Sequence, residues 1–262
     1  MVGSGLREAG DFMPTVVMTH GAFCGGWAFD LFRAPFEARG WTVLAPDLPG
    51  HGAAGGVAGL SMRDYAGALE RLCAGLPERP VLLGHSLGGL VCQLAARQVR
   101  PRALVMLAPS APWGVAGASI EEAATAFGVA FADPFWSGAV TPDRGLMRSH
   151  SLDRTPKPLR DEILARLAPE SGRAIREVLN WWLDPFMTTS VGIGALPCPS
   201  LAMVGERDVV HSPATVRQTA ARVGAACYVL PGMSHWLIGE EGWERVADQV
   251  LGWLETEARV AA

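Results

Sequence analysis

The sequence predicts an α/β fold in which a mostly parallel, doubly wound sheet is covered by helices on both faces. Short apolar segments typical of buried strands recur along the chain, and amphipathic helical patterns lie between most of them. Apolar strands that alternate with such helices indicate parallel pairing, because helical crossovers cover both faces of the sheet. At 262 residues, the chain is long enough for one large domain, or for a smaller core that carries one inserted subdomain.

The predicted strands are short and apolar. They span residues 15–19, 42–45, 81–83, 103–108, 200–204 and 227–230. Two amphipathic helices are indicated by apolar residues that recur every three or four positions. The first stripe follows Ser61, a residue type that caps helix N-termini, and the second lies near the C-terminus. The stripes consist of Tyr65, Leu69, Leu72 and Leu76, and of Trp243, Val246, Ala247, Val250, Leu251 and Leu254.

A long interval between the fourth and fifth predicted strands contains no convincing strand. A connection of this length without structure of its own is uncommon. We therefore expect a helical cap at residues 111–195, a core formed by residues 13–110 and 196–262, and an N-terminal tail at residues 1–12. Each aromatic residue of the interval could pack within the cap itself. As a cluster, these residues indicate an apolar roof over a site.

Charge and cysteine content argue against several classes of protein. The net charge is −4 and the sequence contains no run of lysines or arginines, so it indicates no basic surface that would bind nucleic acid or an anionic membrane. Five scattered cysteines without a C-x-x-C pair predict neither a disulfide framework nor a metal site, and no motif requires a cofactor. No signal peptide or membrane-length apolar stretch is present, so we expect a cytoplasmic protein. The oligomeric state is not indicated.

Residues 84–88, G-H-S-L-G, place Ser86 where a predicted strand turns directly into a predicted helix. Such a reversal forces the serine into a strained backbone conformation. Glycine two positions away on either side removes the Cβ atoms that would collide there. The pattern is typical of a nucleophile elbow, with the NH groups of the helix start available for developing negative charge.

A serine hydroxyl is a poor nucleophile unless a histidine accepts its proton and a carboxylate orients that histidine. Asp208 follows the fifth predicted strand and His235 follows the sixth, so Ser86, Asp208 and His235 come in that order on loops at one edge of the sheet. We expect these three to be the catalytic residues. Glu206, on the same loop as Asp208, is the alternative acid. Structural or solvated roles fit the other histidines near these motifs better: His85, His150 and His211.

Acyl transfer also needs donors for an oxyanion, usually two backbone NH groups. Leu87, at the helix start, is expected to supply one. The loop at residues 20–27, rich in small residues, is expected to supply the other, with Ala22 preferred and Phe23 next. Cys24 is interpreted as packing or pocket lining, because no basic partner adjoins it in the sequence.

With these residues identified, the chain resembles the α/β-hydrolase superfamily over nearly its whole length, as a serine esterase-like member with a helical cap. The matching motifs are H-G-A-F-C-G-G-W at His20, D-L-P-G-H-G at Asp47, G-H-S-L-G-G at Gly84, G-E-R-D at Gly205 and G-M-S-H at Gly232. The resemblance implies a sheet of about eight mostly parallel strands, with the cap after strand six. Dehalogenases and epoxide hydrolases of this superfamily use aspartate at the elbow, so Ser86 excludes their chemistry.

The expected reaction is hydrolysis of a moderately hydrophobic carboxylic ester through an acyl-enzyme, with a small carbonyl substrate and water as the partners. A lactone, or the carbon-carbon bond of a vinylogous diketone, would suit the same site. A lyase or a ligand receptor on this fold is the alternative of another class; the segment from Gly232 to Gly242 lacks the lysine that would favour a hydroxynitrile lyase. The candidates for the substrate pocket are Phe23, His85, Trp113, Phe127, Trp136, Trp182, Phe186 and Trp236.

Overall fold

The computed structural model describes residues 14–125, 138–256 and 258. The strands, in chain order, are β1 (Thr15–Thr19), β2 (Thr42–Leu44), β3 (Val81–His85), β4 (Ala103–Leu107), β5 (Ala139–Val140), β6 (Glu170–Ser171), β7 (Ser200–Gly205) and β8 (Ala226–Leu230). Six of them form the main sheet in the order β2-β1-β3-β4-β7-β8. All of its neighbouring strands are parallel, which confirms the predicted fold class.

The main sheet differs from the expectation in its number of strands. About eight strands were implied, and the described chain contributes six. Each predicted apolar segment forms one strand of this sheet, and its bounds lie within two residues of the prediction. The first of the described strands, β1, begins at Thr15.

The helices cover both faces of the sheet. They are α1 (Ala34–Glu37), α2 (Met62–Ala74), α3 (Leu87–Val99), α4 (Arg144–Leu146), α5 (Lys157–Arg166), α6 (Gly172–Leu179), α7 (Pro213–Val223) and α8 (Trp243–Thr256); residues 120–125 are also helical. Helices α1 and α8 pack on one face, and α2, α3 and α7 pack on the other. Ser61 caps α2 as predicted, in a reciprocal capping box with Asp64. Within the described residues, no helix combines the length and apolarity needed to cross a membrane.

Successive strand residues alternate between two buried clusters. Val105 and Leu107 of β4 face α1 and α8, whereas Leu104 and Met106 face α2 and α3. All four side chains are fully buried. A strand that is buried on both faces has to be apolar at every position, which explains the continuous apolar runs in the sequence.

The chain between β4 and β7 contains α4, α5 and α6. It also contains one short antiparallel pair, in which Ala139 and Val140 of β5 face Ser171 and Glu170 of β6. No strand was predicted in this interval, and two residues per strand are too few to produce a detectable alternating pattern. The interval leaves the sheet at the carboxyl end of β4, beside the loops that follow β3, β7 and β8.

Candidate active site

Ser86 links β3 to α3 in a left-handed backbone conformation, with φ of 53° and ψ of −122°. Non-glycine residues rarely adopt this conformation, because it costs about 1–3 kcal/mol. It persists only where the surrounding structure enforces it. Three backbone hydrogen bonds enforce it here. The NH of Ser86 donates to Leu107, and its carbonyl accepts from Gly89 and Ser110.

Glycines allow the backbone to close tightly around Ser86. A Cβ on Gly84 would lie 2.3 Å from the carbonyl oxygen of Gly88, and a Cβ on Gly88 would lie 2.1 Å from that of Thr19. Both distances are impossible for real side chains. The G-x-S-x-G spacing is therefore explained by contact of α3 with β3 and β1.

Asp208 and His235 form a buried pair on neighbouring loops, which follow β7 and β8. The Nδ1 of His235 lies 2.9 Å from Oδ2 of Asp208, and the Oδ1 of Asp208 accepts the backbone NH groups of Val210 and His211 at 2.8 Å. Burial opposes ionisation of Asp208. The charge of His235 and these hydrogen bonds outweigh it and hold the pKa of Asp208 below its usual value. The carboxylate is thus ionised and fixed behind His235.

His211 takes part in the surroundings of this pair, although the sequence pointed only to a structural or solvated role. Its ring centroid lies 5.3 Å from that of His235, and its Nε2 lies 2.9 Å from Oγ of Ser110. Burial, followed by the charge of His235, lowers the pKa of His211 to about 4. A neutral His211 therefore packs beside His235 and holds its backbone NH on Asp208.

The loop that carries Asp208 is also held by Glu122, which sequence reasoning missed. The Oε1 of Glu122 accepts the NH of Ser212, and Oε2 accepts the hydroxyl groups of Ser212 and Thr215 at 2.9 Å. The same oxygen accepts two backbone NH groups of its own segment, from Ala118 and Ser119. No local pattern in the sequence marks this contact, because it joins positions about ninety residues apart.

Gly21 brings the expected oxyanion loop against the elbow. A Cβ on Gly21 would lie 3.1 Å from the Cβ of Ser86. The preceding residue, His20, donates from Nδ1 to the carbonyl of Gly21 and accepts the NH of Leu48 on Nε2. Asp47 accepts the NH of Gly26 at 2.8 Å, so the turn at residues 46–52 supports both ends of the loop. Ala22 and Phe23 are partly buried, and Leu87 begins α3.

The ring of His85 packs against the rings of His235 and Trp236. The ring of His85 lies 5.0 Å from that of His235 and 5.2 Å from that of Trp236. Burial, followed by the charge of His235, lowers the pKa of His85 to about 3, so this ring is neutral. Phe23 packs against the same apolar cluster as Trp236.

The other aromatic candidates are spread over the β4–β7 interval. Trp113 packs edge-on against Trp181, with ring centroids 5.2 Å apart. Trp182 is 46% exposed and Phe186 is 87% exposed, so both lie at the surface. Phe127 and Trp136 fall outside the described residues.

Two carboxylates contact Ser234, the residue before His235. Its hydroxyl donates to Oδ1 of Asp153 at 2.7 Å, and its NH donates to Oε1 of Glu240 at 2.8 Å. Glu240 is buried, and this burial raises its pKa to about 7. The His235 loop is therefore fixed from the β4–β7 interval and from the core. In the described ranges, no three His, Cys, Asp or Glu side chains are grouped so that they could hold a metal ion.

Comparisons with known proteins agree with this architecture. A family model described as the alpha/beta hydrolase family matches residues 16–249. A pyrethroid hydrolase of Sphingobium wenxiniae is 38% identical over 76 residues, and the match covers 28% of this chain and 27% of that protein. The match to the 30 kDa subunit of magnesium chelatase from Rhodobacter capsulatus is 29% identical and covers 92% of this chain and 87% of that one.

A solved structure shows the same fold over nearly the whole chain. The methylesterase MES16 from Arabidopsis superposes with a TM-score of 0.70 at 18% identity, over 93% of this chain and 99% of that one. Together with the family model, which spans most of the sequence, this places the chain in the alpha/beta hydrolase family.

Proposed function

We propose that the protein is a serine hydrolase that cleaves carboxylic esters at Ser86. The single observation that carries this proposal is the strained backbone of Ser86 on a loop beside the buried Asp208–His235 pair. A strained serine, a histidine and an ionised carboxylate on loops at one edge of a sheet are the groups that acyl transfer needs. Among the relatives, a pyrethroid hydrolase and a methylesterase are consistent with ester cleavage.

In the proposed mechanism, Nε2 of His235 removes the proton from Ser86 Oγ as this oxygen attacks the ester carbonyl. Asp208 holds the Nδ1–H and stabilises the imidazolium that forms. The NH groups of Ala22 and Leu87 donate to the oxyanion. His235 then returns the proton to the leaving alcohol, and water, activated by the same histidine, releases the acid from the acyl-enzyme.

We further propose that residues 111–195 act as a cap over this site, with residues 13–110 and 196–262 as the core. Two carboxylates support this division. Glu122 bonds to the loop of Asp208 and Asp153 bonds to the loop of His235, so the cap is attached to both loops. The aromatic content of the cap favours a moderately hydrophobic ester.

The proposal is tested with Ser86→Ala and an activated short-chain ester such as p-nitrophenyl butyrate. Loss of the nucleophile should lower kcat by about 10⁴- to 10⁶-fold, as in comparable triads. Ser149→Ala serves as the control, because it removes an exposed serine hydroxyl that bonds within its own segment. Parent-like turnover by Ser86→Ala would exclude the mechanism.

The alternative functions are a lactone or carbon-carbon hydrolase, a lyase and a ligand receptor, and they differ in which bond, if any, is cleaved. A panel of aryl and alkyl esters, lactones and vinylogous diketones compares hydrolysis of the three bond types in one experiment. A serine-reactive phosphonate should label the parent and not Ser86→Ala. A receptor on this fold would bind a ligand without multiple turnover, and a lyase would release an aldehyde or ketone without consuming water.

A further inference from the structure

His51 is a buried histidine outside the triad, and both of its ring nitrogens face acceptors. Nδ1 lies 3.2 Å from the carbonyl oxygen of Pro49, and Nε2 lies 3.1 Å from Oε2 of Glu170. The side chains of His51 and Glu170 are both 0% exposed. A neutral imidazole carries one N–H, so with an ionised Glu170 only the doubly protonated ring can donate to both partners.

The hydrogen bonds of Glu170 keep this carboxyl ionised. Its Oε1 accepts the hydroxyl of Tyr65 at 2.5 Å and the NH of Ser171 at 2.7 Å. Burial alone would raise the pKa of Glu170, but His51 and these donors lower it below its usual value. Burial alone would lower the pKa of His51, but Glu170 raises it above its usual value. Both directions place the proton on His51.

Glu170 supplies the negative charge that balances a positive charge on His51, because the neighbouring groups His20, Tyr65 and Cys24 are uncharged. The ring of His20 lies 4.9 Å from that of His51, and burial lowers the pKa of His20 to about 4, so His20 is neutral. Burial raises the pKa values of Tyr65 and Cys24, which keeps both uncharged. The carboxylate of Asp47 accepts the NH of Gly26.

The pair joins the cap to a turn that supports the loop of Ala22. His51 belongs to the turn at residues 46–52, in which Leu48 donates to Nε2 of His20. Glu170 belongs to the cap, where Ala168, two residues earlier, donates its NH to the carbonyl of Phe23. We propose that His51 is an imidazolium whose ion pair with Glu170 holds the cap against this turn and so positions the oxyanion loop. The effect on the oxyanion loop rests on the proposed function.

The charge state is tested on the unmodified protein by histidine nitrogen-15 NMR. At neutral pH we expect one ring, assigned by its loss in His51→Gln, with both nitrogens protonated and with a pKa above the ordinary value of about 6.5. A neutral tautomer of His51 at this pH would overturn the proposal. The inactive Ser86→Ala variant should give the same His51 signals, so this result does not depend on the identity of the nucleophile.

The positioning role is tested with Glu170→Gln, which keeps the size of the side chain and removes its charge. We expect kcat/KM at neutral pH to fall about tenfold, less than the 10²- to 10³-fold cost of losing an oxyanion donor outright. Tyr65→Phe is the matched control, because it removes a hydrogen bond to the same carboxylate but leaves the ion pair; its loss should stay within about threefold. Equal losses in both variants, or parent-like kcat/KM in Glu170→Gln, would contradict the proposal.

The pH dependence gives a readout that a purely structural contact would not produce. Because the pKa of His51 is raised in the folded protein, the stability contributed by its charge is complete below the pKa of the unfolded state. It is lost as the pH rises through the folded value. The excess thermal stability of the parent over Glu170→Gln should therefore shrink as the pH rises above the ordinary histidine pKa of about 6.5. An excess that stays constant there would contradict an ionised His51.

Discussion

The Nε2–H of His85 donates to the backbone carbonyl of His235 at 2.9 Å. The residue before Ser86, the proposed nucleophile, is therefore bonded to the main chain of the residue that is expected to activate it. This bond fixes the distance between the loops after β3 and β8. Because the pKa of His85 is lowered to about 3, the ring stays neutral and keeps the same hydrogen-bond donor at neutral and alkaline pH.

Replacing His85 with Phe should therefore weaken catalysis without changing its pH profile. Loss of one buried hydrogen bond is worth about 1 kcal/mol, so kcat/KM should fall about fivefold. His85→Gln, which retains a donor at a similar reach, should recover most of this loss. Steady-state kinetics from acidic to alkaline pH measure both effects, and a shifted acid limb in His85→Phe would contradict a neutral, positioning His85.

Asp208→Asn should lower kcat about 10⁴-fold, as the equivalent change does in a comparable triad, because an amide cannot hold His235 in the required tautomer. Glu206→Gln is the matched control on the same loop. Its carboxylate accepts the NH of Gly232 at an exposed position, and an amide oxygen can do the same. We expect a change within about twofold for this control. The reverse pattern in burst and steady-state assays would identify Glu206 as the acid.

Glu122→Ala should loosen the loop that carries Asp208, since it leaves the NH and hydroxyl of Ser212 without their acceptor. Hydrogen bonds to a charged group contribute about 1.5–3 kcal/mol each, so the free energy of unfolding should fall by at least about 2 kcal/mol. Glu121→Ala, at the exposed neighbouring position, should change it by less than about 0.5 kcal/mol. Urea denaturation compares the two, and equal stabilities would mean that the Glu122 contacts contribute nothing.

Gly84→Ala should disrupt the elbow itself. The new Cβ would meet backbone atoms of Gly88 and Gly89 within 2.6 Å, so the start of α3 would have to move. We expect a loss of at least about 3 kcal/mol in the free energy of unfolding. Gly252→Ala in α8 meets nothing within 4 Å and should stabilise the helix by about 1 kcal/mol. Thermal unfolding of both variants checks the contrast, which a tolerated Gly84→Ala would refute.

The sheet could be predicted from the sequence because each strand is buried on both faces, and continuous apolar runs are visible without any partner. The order of Ser86, Asp208 and His235 could be predicted for a related reason. Each residue lies within about five positions of the end of such a run, and the carboxyl ends of parallel strands lie at one edge of the sheet. Their placement on loops at this edge requires only this topology.

The supports of the site could not be predicted in the same way. Glu122, Asp153 and Glu170 each bond to a loop of the core through a single side chain. Their local sequence carries no periodic pattern, and an isolated Asp or Glu in a sequence is normally interpreted as an exposed, solvated charge. The aromatic residues of the interval differ from these carboxylates, because their cluster is visible in the composition. The composition does not indicate which of them, such as Phe186, face solvent.

The backbone of Ser86 sets a conflict between stability and chemistry at one position. Its φ of 53° would be more easily adopted by glycine, so serine is not the most stable choice there. A search that selects variants only for thermostability would favour glycine at position 86 and discard the hydroxyl. Because Ser86 is the proposed nucleophile, directed evolution of this protein has to screen for turnover at every round.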